Sequence, residues 1–396
     1  MRVLHYCNWG SFAPISCGAD VIASNQLEYF RHRGWEVDCL IADKAPRAHQ
    51  ARSFEALYPW VRSIRLIDHP IAPLTLRGQL FAHQQIAESN AFRTIAGEGY
   101  DLFFTNYVFT APLLEAFPAG CKRVLEALDL MSEAFAYNEQ EGDPCVDALA
   151  TARKSLLLDI ECELFRLFDG VLFINEDERR QAESAARARL FTVPPMMPWE
   201  VESDGPSAAG RPEESYDLIF VGSNAHMNTR GFTHFYRQIY LPFLRSRGIR
   251  VAVVGSVCDA LEFEDHQVTK LGYVSGNLED CYARSRIVII PILYGSGLSI
   301  KTIECLAHGR AVVTTPMGCR GLVDEPGAFV RIDMESDPRG TAEVILGLLD
   351  SEEKRRLLQR RAKAYYLSHF SREQYFRKMD RVMESLGLIG SHEVAA

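Results

Sequence analysis

Lys301 and Glu304 stand three residues apart behind a Gly295-Ser296-Gly297 loop, inside the run PILYGSGLSIKTIECLAHGRAVVTTPMGCRGL that spans 291 to 322. A helix opening after the loop puts both side chains on one face. Its N-terminus presents unsatisfied N–H groups and about half a positive charge, which attract anions and disfavour cations. A solvated lysine in that first turn is unfavourable by about 0.3 to 1 kcal/mol, whereas a bound diphosphate reverses the sign. Gly295 and Gly297 carry no side chains, so the amides of the loop, through Ser296, Leu298 and Ser299, approach phosphate oxygens closely. Glu304 is an acceptor-only carboxylate suited to a ribose diol. The alternative is a surface pair between Lys301 and Glu304 worth about 0.2 to 0.5 kcal/mol, which leaves the glycines unexplained.

Such a loop needs strands to hold it. Arg286 to Ile290 (RIVII) reads as a strand before it, Ala311 to Thr315 (AVVTT) as a strand after the helix, and Gly309 as the stop between them. Both runs are too continuously apolar for a sheet wetted on one face, which predicts a βαβ unit in a parallel sheet. Ligands of such sheets bind outside the carboxyl ends of the strands, where this loop lies.

Other strand-to-helix loops carry weaker signals. FVGSNAHMNTRGF follows an expected strand at Asp217 to Val221 and precedes a helix with an apolar stripe through Phe232, Phe235, Ile239 and Phe243. Its Gly222-Ser223 pair offers amides to phosphate beside Asn228 and Arg230; Arg230 reads equally as a solvated first-turn arginine, and His226 as a polar loop residue. Near the N-terminus, NWGSFAPISCGAD sets Gly18 before a helix, either a second anion-facing N-terminus or a plain turn. Val124 to Glu133, VLEALDLMSE, brings Glu126, Asp129 and Glu133 near a strand's carboxyl end, where carboxylates cost desolvation unless they bind something or stay wet.

Composition bounds the rest. A chain of 396 residues exceeds a single core of about 250 to 300, and 47% hydrophobic content suffices for two. A formal charge of −9 argues against a broad nucleic-acid interface, which needs clustered Lys and Arg. Ten cysteines without a Cys-x-x-Cys pair read as small buried hydrophobes in a reducing cytosol. No His/Cys cluster has ligand spacing and no Asp-x-Asp element follows a strand, so no metal is expected. MRVLHY runs straight into a strand, so no signal peptide is expected, and no stretch reaches 18 consecutive apolar residues, so no membrane span is expected, while peripheral contact through an amphipathic helix stays open.

Strands alternate with helices throughout. The first half shows Arg2 to Tyr6, Glu36 to Ala42, Arg62 to Ile67, Asp101 to Thr105, Arg123 to Ala127 and Gly170 to Ile174, with longer helices near 74 to 97 and 148 to 168. The proline-rich, aperiodic stretch 194–215 reads as a linker between a domain at 1–193 and another at 216–370. The second half restarts at Asp217, continues through Arg250 to Val254, Val268 to Leu271 and the signature strands, and reaches Phe329 to Ile332. A last helix at 371–388 opens with Ser371 as a plausible N-cap.

The full pattern P-x3-G-x-G-x3-K-x2-E-x2-A-x-G-x-x-V-V-T-T, continuing to Gly318, Arg320, Gly321 and Leu322, resembles the donor-site signature of the group 1 (family 4) glycosyltransferases of GT-B fold. The resemblance implies an α/β chain of two Rossmann-like domains, with parallel sheets facing across a cleft. The second domain would hold the nucleotide sugar and the first the acceptor, with the last helix returning to the first. It places Lys301 and the loop amides on the diphosphate and Glu304 on the ribose. Gly222, Ser223, Asn228 and Arg230 become further donor contacts, and Gly18 an acceptor-side or diphosphate loop. Asp129 becomes a catalytic-site acid touching an acceptor hydroxyl or the sugar, against the alternative of a helix N-terminal acid. Ser296 departs from the glutamate that many members carry there, and Leu128 from a histidine.

The expected activity is a retaining glycosyl transfer from a nucleoside-diphosphate sugar to a saccharide or lipid-linked acceptor, in polysaccharide or glycoconjugate synthesis. The donor is a substrate, and no cofactor, metal or nucleic acid is expected. The expected place is the cytoplasm, including the inner face of the membrane. A nucleotide-sugar epimerase on a similar fold and a catalytically silent sugar-nucleotide-binding protein are the alternatives.

Overall fold

A computed structural model describes residues 1–8, 18–43, 54–73, 75–136, 144–183, 188–198, 215–274 and 278–390. Two compact units divide the chain, Met1–Pro198 with Arg372–Ala396 and Trp199–Ser371. Residues 199–214, most of the expected linker, and 9–17, the loop before Gly18, lie outside the described residues.

The first unit is a seven-stranded parallel sheet in the order β3-β2-β1-β4-β5-β6-β7. Its strands are β1 Arg2–Asn8, β2 Glu36–Asp43, β3 Ser63–Asp68, β4 Leu102–Asn106, β5 Lys122–Ala127, β6 Gly170–Phe173 and β7 Leu190–Thr192. Alternate residues feed two cores, as the period of two requires. Leu4, Tyr6, Phe103, Leu125 and Phe173 pack on one face, and Val3, Cys7, Phe104, Val124 and Leu172 on the other. Helices α1 Gly18–His32, α2 Leu76–Glu88, α3 Asn90–Ala96, α4 Met131–Ala136, α5 Pro144–Phe165 and α6 Glu176–Glu183 connect the strands.

One local expectation changes, and one strand is added to those expected. The helix expected near 74 to 97 breaks at Ser89, whose backbone is extended (φ −69°, ψ 139°) and whose hydroxyl accepts from Phe92 N at 3.2 Å, capping α3. Three-residue β7 is half-buried and too short to show a period.

The second unit is a six-stranded parallel sheet in the order β10-β9-β8-β11-β12-β13. Its strands are β8 Tyr216–Val221, β9 Val251–Val254, β10 Val268–Gly272, β11 Ser285–Ile290, β12 Val312–Thr314 and β13 Val330–Arg331. Helices α7 His226–Phe235, α8 Glu279–Ala283, α9 Ile300–Ala307, α10 Pro338–Leu349 and α11 Glu352–His369 cover it. Gly309, at φ +58°, ends α9 in the left-handed conformation that favours glycine.

The last helix, α12 Arg372–Ser385, belongs to the first unit. Tyr375, Phe376, Met379, Val382 and Met383 recur at helical spacing and join the core formed by Tyr29 and Phe30 of α1. Asp380 accepts from Tyr29 Oη at 2.8 Å and Arg33 Nε at 2.9 Å, which fixes the register of the two helices. Eight of the described cysteines are free, and of these all but Cys281 are buried.

Candidate functional site

In the second sheet the strand order reverses between β8 and β11, and the loops after these two strands meet there. The loop after β11 passes through Gly295 at φ +151° and Gly297 at φ +65° before α9 opens at Ile300. Ser299 sits at the N-cap, yet its hydroxyl accepts from Thr302 Oγ1 at 2.8 Å, so no side chain caps the helix. Lys301 is therefore the second residue of an N-terminus whose positive end its own side chain does not neutralise.

Lys301 Nζ donates to Asn228 Oδ1 and stands 5.4 Å from the centroid of the Phe220 ring. Asn228 is 4% exposed and donates through Nδ2 to Ser223 O at 2.9 Å and to Ser223 Oγ at 3.2 Å. One buried amide thus ties the Gly222-Ser223 loop to the first turn of α9. Gly222 leaves the room for it, since a Cβ there would lie 3.2 Å from Asn228 Cγ and 3.0 Å from Phe220 Cζ. Gly231 has a similar task that sequence reading missed: a Cβ would fall 2.2 Å from Pro291 O, where α7 lies against the start of the Gly-rich loop.

Arg320 holds the loop from the other side. Its Nε donates to Ser296 O at 2.7 Å, Nη2 reaches the same oxygen, and Nη1 donates to Met317 O at 2.9 Å. Burial, and then the Arg320 charge, lower the Lys301 ammonium to about 8. Burial raises the Glu304 carboxyl to about 7, against the Tyr282 hydroxyl and Lys301, which pull it down. The two side chains form no ion pair with each other, because the amine goes to Asn228. A bound anion would relieve two neighbouring cations and an uncapped helix end at once.

Arg230 is exposed and lies 5.6 Å over the Tyr294 ring, whose hydroxyl bonds His226 Nδ1. It rims the site rather than entering its buried part. The structure thus gathers Gly222, Ser223, Asn228, Gly295, Ser296, Gly297, Leu298, Ser299 and Lys301, with Glu304 one turn further along α9. Arg320 lay within the sequence signature, but only its hydrogen bonds reveal its role. Tyr282 carried no sequence signal at all.

Gly18 and Asp129 lie in the first unit. Gly18 is the first residue of α1, and Asp129 follows β5 partly exposed. Of the two alternatives for the acidic neighbours of Asp129, binding something or staying wet, the structure shows both side chains engaged by protein groups. Glu126 is fully buried; Gln26 Nε2 donates to its Oε2 and to Asn106 Oδ1 at 2.9 Å, while Gln26 Oε1 bonds His5 Nε2 at 2.5 Å. Burial raises Glu126 to about 8, against the Gln26 hydrogen bond, and so favours the neutral acid in the core. Glu133 pairs with Lys154 at 2.6 Å and accepts from Gln181 Nε2 at 2.8 Å.

Residues 215–351 match the family model described as glycosyl transferases group 1. The second unit belongs to that family. The chain that carries it is a glycosyltransferase, and its solved neighbours agree in fold along nearly its whole length. A sucrose-phosphate synthase from Thermosynechococcus elongatus superposes with a TM-score of 0.72 at 14% identity, over 98% of this chain and 99% of that one. HepE from Anabaena, in complex with UDP, gives 0.65 at 14% identity over 97% and 100%. A variant of S. aureus TarM gives 0.68 at 9% identity over 96% and 99%. At such identities the likeness is one of fold, and it gives the glycosyltransferase the GT-B architecture of two Rossmann-like domains. No curated protein matches the chain in sequence.

Proposed function

We propose that this glycosyltransferase moves a sugar, with retention of anomeric configuration, from a nucleoside diphosphate to a hydroxyl of a saccharide or lipid-linked acceptor. The observation that carries the proposal is the Lys301–Asn228–Ser223 link through the buried Asn228 amide, which sets a weakened ammonium between two glycine loops at an uncapped helix N-terminus. Lys301 and the amides of 222–223 and 295–299 take the diphosphate, Arg230 assists from the rim, and Glu304 accepts from the ribose diol. The structures of HepE and of the TarM variant hold UDP, which makes a uridine nucleotide the first to try.

In the proposed reaction the bond from the anomeric carbon to the diphosphate breaks while the acceptor oxygen bonds that carbon from the same face. The acceptor proton passes to an oxygen of the departing diphosphate. Lys301 and the loop amides stabilise the negative charge as it develops, without reorganising. The first unit supplies the acceptor side, with Asp129 on an acceptor or sugar hydroxyl and Gly18 at the mouth of α1. No cofactor or metal takes part, and polysaccharide or glycoconjugate assembly in the cytoplasm or at the membrane's inner face is the setting. Among the described residues no helix is long and apolar enough to cross a membrane.

A thermal-shift panel of nucleoside diphosphates tests the reading directly, because a ligand at 100 times its dissociation constant adds about 2.7 kcal/mol of stability. One base should stand out, and its sugar should be transferred when acceptor is present, giving a product of unchanged anomeric configuration by NMR, with at most slow donor hydrolysis in its absence. No stabilisation by any diphosphate overturns the proposal. Donor binding with neither transfer nor slow hydrolysis favours instead the silent binding protein, to which Ser296 and Leu128 point.

A further inference from the structure

Helix α5 turns an apolar stripe to solvent. Leu156 is 62% exposed, Ile160 39% and, in the turn after the helix, Leu167 51%. At 3.6 residues per turn, Leu156, Ile160 and Glu163 fall within about 60° of arc, Arg153 extends the line toward the N-terminus, and Leu167 follows in the turn just past the helix end. The opposite face is the one the fold uses. Cys162 and Phe165 are buried there, and Glu161 accepts from the amides of Met131 at 2.6 Å and Ser132 at 2.8 Å. The alternating three-four spacing from Arg153 to Leu167 is that of a coiled-coil seam.

The seam is its own complement. A second copy laid antiparallel about a two-fold axis beside residue 158 sets Leu156 against Ile160 of that copy and Arg153 against its Glu163, because the members of each pair are equidistant from 158. The two polar seam positions thus carry opposite charges in the one register that also stacks the apolar ones. Glu163 already accepts from Arg166 at 2.6 Å, an exposed i,i+3 pair that is exchanged at little cost. Asp159 flanks the seam next to the axis and faces its own mate, which weakens the pair.

We propose that α5 forms a weak antiparallel homodimer of this enzyme through Leu156, Ile160 and Leu167, with Arg153 and Glu163 setting the register. A seam of about four turns is small against the about 800 Å² per partner of a stable interface, so the dimer dissociates on dilution.

Sedimentation equilibrium of the full chain over a series from about 1 to 300 µM should show a reversible monomer–dimer equilibrium. Leu156→Lys with Ile160→Lys should leave a monomer whose circular dichroism and unfolding midpoint are unchanged, since both positions are exposed. Arg153→Glu or Glu163→Arg alone should weaken self-association about tenfold, and an equimolar mixture of the two variants should restore it as a heterodimer. Asp159→Asn should tighten it. A monomer at every concentration, a dimer indifferent to the two lysines, or a mixture that fails to pair overturns the proposal. So does binding of the intact chain to phosphatidylglycerol vesicles that the two lysine substitutions alter while self-association is absent, since the stripe is then a membrane face.

Discussion

Glu126, at the end of β5 in the first unit, and Lys301, in the first turn of α9 after the loop that leaves β11 in the second, are both shifted toward neutrality by burial. Glu126 is closed off from solvent, with Gln26 donating to it and His5 and Asn106 completing the network. Lys301 remains partly exposed, with a second cation beside it and an uncapped helix end at its back. Burial of an ionisable group at a strand end is therefore no mark of a site by itself. Convergence of two cations and an uncapped helix end on a partly exposed position is what separates Lys301 from Glu126.

The widest break of this contrast is Lys301→Ala. Transfer should fall by about 2.7 to 4 kcal/mol in kcat/KM, by analogy with loss of one oxyanion donor, while the unfolding midpoint barely moves. Steady-state kinetics with calorimetric unfolding reads both, and near-wild-type turnover would erase the distinction between the two lobes.

Glu304→Gln sharpens it from within the site. Charge-assisted bonds to ribose are worth about 1.5 to 3 kcal/mol, so donor affinity should drop roughly tenfold or more and discrimination against a 2′-deoxyribose donor should shrink. Isothermal titration of both proteins with both nucleotides decides the matter; equal discrimination removes Glu304 from the site. In wild type, donor affinity should also fall below pH about 7 as Glu304 takes a proton, and above about 8 as Lys301 loses one. A flat affinity from pH 6 to 9 contradicts this assignment.

Glu126→Gln addresses the other side. The folded carboxyl is raised from 4.5 to about 8, so between those values the native state holds a proton that the unfolded chain releases, and stability falls as pH rises. His5, lowered to about 4, acts oppositely between there and 6.5, so the informative quantity is variant minus wild type. That difference should grow in favour of Glu126→Gln across the window by at least about 1.4 kcal/mol, the equivalent of one pKa unit. Urea melts at pH 5 and pH 8.5 measure it; a pH-independent difference means that Glu126 is ionised in the native protein. The smallest expected effect is that of EDTA, which should leave transfer unchanged because Lys301 and amides carry the diphosphate charge. A loss restored by Mg²⁺ or Mn²⁺ refutes that.

Local pattern carried most of the fold. Continuous apolar, β-branched runs and glycine stops suffice for the parallel strands, and the signature from Pro291 to Leu322 sufficed for the family, because neighbours along a chain constrain strands, turns and helix ends directly. A helix boundary such as Ser89 was harder, since serine caps and serine within a helix look alike until the backbone turns away. What only tertiary structure decided are contacts across long separations. Lys301 finds Asn228 across 73 residues, Arg320 grips Ser296 across 24, and Tyr29 meets Asp380 across 351. The fate of Glu126 belongs with them. Whether a carboxylate at a strand end meets water, a ligand or a glutamine from another element depends on what folds over it, and no spacing along the chain encodes that.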